Sequence, residues 1–131
     1  MARILVVDDV PVVRLVIAKF LRHAGHSVIE AAEGGEALAH LRSDRPDVVL
    51  TDVWMPGTDG LGLATTINAE FPGLVVVAMT GGRPHSTMDE SIREAVQSGA
   101  LTVLGKPIDK GELLAAVAQA LAVHGTIEIK P

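Results

Sequence analysis

Five polar residues of this 131-residue chain carry side chains suited to chemistry, and each follows a short apolar run. Asp8 and Asp9 follow Ile4-Leu5-Val6-Val7, Asp52 ends Val48-Val49-Leu50-Thr51, Thr80 follows Leu74 to Met79, and Lys106 comes just after Leu101 to Leu104. Two carboxylates about 4 Å apart repel by about 4 kcal/mol at an effective dielectric near 20. Three carboxylates with a single lysine therefore lack positive charge, and a divalent cation would supply it. Hard oxygen ligands, with no cysteine and no histidine cluster, favour Mg²⁺ over Zn²⁺. Mg²⁺ is usually held by one or two carboxylates while a phosphate supplies further oxygens. A lysine and a threonine hydroxyl beside it suit a phosphoryl group. The chemistry that these residue types describe is phosphoryl transfer onto a carboxylate, with Asp52 as the nucleophile.

For that chemistry the strand ends must meet. Apolar runs without alternation read as strands buried on both faces, as in a parallel sheet. Between them lie helical patterns. Pro11 suits a first helical turn, Val13, Val16, Ile17, Phe20 and Ala24 follow at spacings of three and four, and Gly25 marks the stop. Val28 and Ile29 anchor a second strand, Gly34-Gly35 reads as a turn, and Ala37, Leu38 and Leu41 give a helix ending before Pro46. Asp59 is a candidate N-cap for a helix carrying Leu61, Leu63, Ala64 and Ile67, which Pro72-Gly73 closes. A further helix is expected near Met88 to Gln97, and a last one from about Lys110 to Val123 with Asp109 as its cap. Strand and helix thus alternate five times, which implies an α/β fold: a doubly wound five-stranded parallel sheet with helices on both faces and right-handed crossovers. In such sheets, ligands bind at the carboxyl ends of the strands, where all five polar residues fall.

Composition narrows the function further. The length suits one domain, here residues 1–124, followed by a short C-terminal tail, 125–131. A hydrophobic content of 48% argues against disorder, and an aromatic content of 2% leaves Val, Leu, Ile and Ala to build the core. The net charge of −5 and the lack of a basic run argue against direct nucleic-acid binding. Leu113 to Val123 is too short to span a bilayer, and acids follow too soon after Met1 for a signal peptide. Absence of cysteine excludes a disulfide scaffold and suits the cytoplasm. His23, His26, His40, His85 and His124 show no metal-binding spacing, and no G-x-G-x-x-G or P-loop pattern appears.

The pair Asp8-Asp9, the segment Asp52-Val53-Trp54-Met55-Pro56 with Asp59-Gly60, Thr80, and Lys106-Pro107 together resemble the receiver domains of two-component response regulators, over about residues 3–124. The resemblance implies a flavodoxin-like strand order 2-1-3-4-5. It also implies that Asp52 is the phosphoacceptor, that Asp8, Asp9 and Asp52 hold Mg²⁺ with the Trp54 carbonyl as a further ligand, that Thr80 binds the phosphoryl group and that Lys106 is its cation. A cis Lys106–Pro107 peptide is implied too. The partners would be a histidine kinase or a histidine phosphotransfer protein and a downstream protein target. The domain would be a cytoplasmic signalling domain that catalyses its own phosphorylation and dephosphorylation, not an enzyme acting on a separate metabolite. It would be either a stand-alone, chemotaxis-regulator-like receiver or one piece of a longer protein.

Two other classes fit less well. Haloacid-dehalogenase-like phosphatases also form an aspartyl phosphate but resemble D-x-D at the first strand, where this chain has adjacent acids. A flavin-binding module would need aromatic stacking. The chain departs from the receiver pattern at Val103, where a Tyr or Phe is frequent as a switch coupled to the threonine, and at Gly81, Thr58 and Trp54. The stretch from Thr80 to Lys106 is also a few residues long, with 81–85 as the insertion. These departures bear on the output switch and leave the phosphorylation site intact. They predict that the signal leaves through the 81–86 loop, whose adjacent glycines make rearrangement cheap, and that Trp54 reports metal binding and shields Asp52.

Overall fold

Five parallel strands carry the fold, and their order in the sheet is β2-β1-β3-β4-β5. The structure is a computed structural model that describes residues 2–53, 60–80, 93, 97 and 99–129. The strands are β1 (Arg3–Val7), β2 (Ser27–Ala31), β3 (Val48–Asp52), β4 (Val75–Thr80) and β5 (Thr102–Gly105). The helices among the described residues are α1 (Pro11–His23), α2 (Gly34–Ser43), α3 (Gly60–Glu70) and α4 (Lys110–Ile129). Of the helix expected near 88–97, Arg93 and Gln97 are described and both are helical. Trp54, the Asp59 cap and the 81–86 loop lie outside the described residues.

Why the strands show no alternation is plain from their two faces. Ile4 and Val6 of β1 join Leu50, Val77 and Met79 in a core closed by Ile17 and Leu21 of α1 and by Leu113 and Val117 of α4. Leu5 and Val7 point the other way, into a core with Val49 and Val76 that α2 and α3 close through Ala37, Leu41, Leu63 and Ile67. Successive residues point to opposite faces, and along β1, β3 and β4 both faces are buried, so these strands stay apolar until near their ends. β1 lies between β2 and β3, with Ile4 paired to both Val28 and Val48. The carboxyl ends of β1 and β3 are therefore neighbours.

Three local features differ from what the sequence pattern leads one to expect. Gly34 and Gly35 form no turn; they open α2, whose N-cap is Glu33, with its carboxylate accepting the Glu36 amide at 3.1 Å. A Cβ at Gly35 would stand 2.9 Å from Glu33 Oε1, so the glycine leaves room for the cap. The buried face of α1 is Ile17, Ala18 and Leu21, while Val12, Leu15 and Val16 are exposed. The last helix continues past Val123 to Ile129. Elsewhere the pattern holds: Pro11 opens α1, Gly25 follows it at φ 97°, and Asp109 accepts the Glu112 amide at 2.9 Å at the start of α4.

Candidate functional site

The carboxyl edge of the sheet gathers the polar residues that the sequence singles out. Asp8 leaves β1 fully buried, Asp52 ends β3 at 6% exposure, and Thr80 ends β4 fully buried. Burying charge without partners is costly, so their contacts matter. Lys106, one residue beyond β5, supplies them: its Nζ donates to Asp8 Oδ2 at 2.9 Å and lies 3.3 Å from Asp52 Oδ2. The other Asp8 oxygen, Oδ1, accepts the Val10 amide at 2.9 Å, just ahead of α1, where the helix dipole favours an anion. The Lys106 amide donates to the Thr80 carbonyl at 2.9 Å, so strand pairing fixes the base of the lysine. The Lys106–Pro107 peptide is cis, as the resemblance implies.

Burial by itself would lower the pKa of Lys106, and this is the largest single influence on it. The hydrogen bond to Asp8 and the charges of Asp52 and Asp8 together outweigh it, and the pKa is raised above the ordinary lysine value of 10.5. Lys106 is thus a fixed cation at neutral pH.

Asp9 completes the cluster. One carboxylate oxygen each from Asp8, Asp9 and Asp52 lies within 4.8 Å of the others. Three hard oxygens at that spacing, two of them on nearly fully buried residues, fit a divalent cation bound by oxygen. The structure thus brings together Asp8, Asp9, Asp52 and Lys106, with Thr80 on the adjoining strand. Trp54, the remaining candidate ligand, lies outside the described residues.

The sequence reading missed Arg14. Its Nη1 donates to the Asp8 carbonyl at 2.8 Å, and its Nε donates to Glu30 of β2 at 3.2 Å. A cation in the first turn of a helix is disfavoured by the dipole, and that misfit is the one cue the sequence offers.

Response regulator receiver domains match residues 4–118 of the chain. The chain belongs to the response regulator receiver domain family. It is 36% identical over 126 residues to protein PilH of Pseudomonas aeruginosa, covering 93% of this chain and 99% of that protein. It is 41% identical over 117 residues to the DNA-binding transcriptional regulator NtrC of Salmonella typhimurium, covering 89% of this chain but only 24% of NtrC. The chain thus spans about a quarter of the length of the NtrC relatives. Among solved structures it superposes on a CheY-like receiver domain protein from Methanospirillum hungatei with a TM-score of 0.86 at 25% identity, covering 96% of this chain and 98% of that one. NtrX from Brucella abortus gives a TM-score of 0.88 at 31% identity, covering 97% of this chain and 28% of that one. The receiver domain is a signalling domain of two-component systems, and the strand order and doubly wound architecture agree with that membership.

Proposed function

We propose that the chain takes a phosphoryl group from a phosphohistidine donor onto Asp52 and, so modified, changes its contacts with a downstream protein. The observation that carries this reading is the position of Lys106 Nζ between Asp8 and Asp52, at 2.9 and 3.3 Å, beside a cluster of three carboxylates. An Asp52 oxygen attacks phosphorus, the bond from phosphorus to the donor nitrogen breaks, and the imidazole leaves with a proton taken from solvent. Lys106 offsets charge on the phosphoryl oxygens and the Thr80 hydroxyl donates to one of them. Asp8, Asp9 and Asp52, with the Trp54 carbonyl, are the residues that would hold Mg²⁺, which when bound supplies positive charge to the phosphoryl oxygens. Hydrolysis of the aspartyl phosphate by water returns the domain to its starting state. The same reading places the chain in the cytoplasm, with residues 1–124 as the receiver and 125–131 as its tail.

A protein donor needs a surface beside the site. Val10, Val12, Leu15 and Val16 are 43–70% exposed, and α1 with the 106–108 segment encloses a mostly apolar hollow of about 210 Å³. Exposed apolar patches of this kind mark protein contacts. No helix among the described residues is long and apolar enough to cross a membrane.

Incubation with acetyl phosphate and Mg²⁺, followed by intact mass measurement, tests the assignment. A single phosphoryl adduct is expected, absent from Asp52→Asn and absent when Mg²⁺ is chelated. An adduct that persists in Asp52→Asn overturns it.

A further inference from the structure

Asp8 is held at every polar atom. Its amide donates to the Ala31 carbonyl of β2 at 3.1 Å, its two carboxylate oxygens accept from Val10 and Lys106, and its carbonyl accepts from Arg14 at 2.8 Å. Asp9, by contrast, is half-buried and its carboxylate has no hydrogen bond among the described residues. Among the described residues, what aims Asp9 is its backbone, and the peptide that sets the direction of its side chain begins at the Asp8 carbonyl. We propose that Arg14 is a positioning residue for the metal-binding acids: it ties the Asp8 carbonyl to Glu30 on β2 and so fixes the Asp8–Asp9 peptide that points Asp9 at Asp52.

The geometry favours this over a plain ion pair. Arg14 sits in the first turn of α1, with its own amide bonded to the Val10 carbonyl at 3.0 Å. Helical side chains lean toward the N-terminus, which sends the guanidinium back over the exit of β1. Its planar fork serves two acceptors at once, which a lysine ammonium on a single line cannot do with the same rigidity. Glu30 is in turn braced from the far side by Arg22, whose Nη2 lies 3.3 Å from Glu30 Oε2. Arg14 and Glu30 are 18% and 24% exposed, against 51% for Arg22. The chain of contacts therefore grows more enclosed toward the acids.

The inference rests on the reading that Asp8, Asp9 and Asp52 bind Mg²⁺, and it predicts a sign opposite to that of simple electrostatics. Removing a cation near a dication site should tighten Mg²⁺ if charge alone mattered. Removing a positioning group should weaken it, because residues that orient metal ligands typically cost about 10–100-fold in affinity when lost. The experiment is Mg²⁺ titration by calorimetry on the wild type, Arg14→Met, Arg14→Lys, Glu30→Gln and Arg22→Met, with thermal unfolding of each. Arg14→Met is expected to weaken Mg²⁺ about tenfold, Arg14→Lys to restore less than half of that loss on a logarithmic scale, and Glu30→Gln, which keeps an acceptor oxygen, to change affinity by less than about threefold. Arg22→Met removes the outer contacts, to Glu30 and to the Val28 carbonyl, and should leave affinity within about twofold while lowering stability slightly. Equal or tighter binding by Arg14→Met overturns the inference and leaves the Mg²⁺ site standing. A loss in Arg22→Met as large as in Arg14→Met would overturn it as well, by showing general destabilisation. No binding by the wild type would overturn both readings.

Discussion

The carboxyl edge of the sheet has two halves built on different principles. On the β1–β3 side, position is set by charge: two nearly fully buried carboxylates share one ammonium at 2.9 and 3.3 Å. On the β4–β5 side, position is set by volume: Val103 packs into a cluster of Val53, Ala78 and Ala100, beside the buried Thr80. Lys106 belongs to both halves, with its side chain on the acids and its amide on the Thr80 carbonyl. The charged half tolerates little change, since removing one member of a buried ionic set leaves another uncompensated. The other half is made of small aliphatic groups, which repack at modest cost. The cluster of acids and lysine is therefore compatible with Val103 standing where the resemblance leads one to expect an aromatic ring.

The sharpest way to break this contrast is Lys106→Met. It should slow phosphorylation by acetyl phosphate about 10²–10³-fold, the usual cost of losing one preorganised donor to a developing charge. A rate within tenfold of wild type, read by intact mass over time, would mean that the charged half is not what drives the reaction. Gly99→Ala comes next. Gly99 has φ +105° and a Cβ there would stand 1.4 Å from Asn68 Nδ2, so about 2 kcal/mol of stability should be lost in urea unfolding with the charged half untouched. Unchanged stability would show that the entry to β5 is more adaptable than this φ and close contact indicate.

Leu15→Glu probes the rim of the charged half. At 56% exposure it should alter stability by less than about 0.5 kcal/mol, and leave acetyl phosphate reactivity unchanged. Transfer from a cognate phosphohistidine protein should slow about tenfold, and an equal slowing with acetyl phosphate would refute a docking role. Val103→Ala should cost about 1 kcal/mol for the methyl groups removed, with no change in phosphorylation rate. A changed rate would show the two halves to be coupled in the unphosphorylated protein.

The smallest effect is one of pH. Because the pKa of Lys106 is raised on folding, its contribution to stability is complete below the unfolded lysine value and is lost only as pH climbs through the folded one. The stability difference between wild type and Lys106→Met should be flat from about pH 6 to pH 9, as far as lysine ionisation is concerned, and shrink above about pH 10. A difference that instead shrinks progressively between about pH 6 and pH 8 would assign the titrating charge elsewhere.

The sequence made the charged half legible and the rest less so, for physical reasons. Asp8, Asp9, Asp52, Thr80 and Lys106 interrupt apolar runs, and strands buried on both faces admit a polar residue only at their ends. The strands were legible for the same reason, within a residue at Leu74, Thr80 and Leu101. Gly34-Gly35 misled because adjacent glycines read as a turn whenever the capping carboxylate, here Glu33, lies outside the usual Ser, Thr, Asp and Asn set. The exposed side of α1 was hidden because Val12, Leu15 and Val16 are as apolar as the buried Ile17 and Leu21, and periodicity cannot say which side faces water. Arg14 left only a faint trace, because its target is a main-chain carbonyl, which has no letter in a sequence.

The contact between Lys106 and Asp8 joins residues 98 apart. A ribosome makes Asp8 early in the domain and Lys106 only after most of the domain has been made, so the two meet late in its synthesis. Until then neither Asp8 nor Asp52 has the Lys106 ammonium available to it. Closing so long a loop costs little more entropy than closing a short one, so the ion pair is not expensive to reach, only late. The charged cluster is thus tied to completion of the fold, since a chain stalled or cleaved ahead of β5 lacks the lysine that holds its acids together.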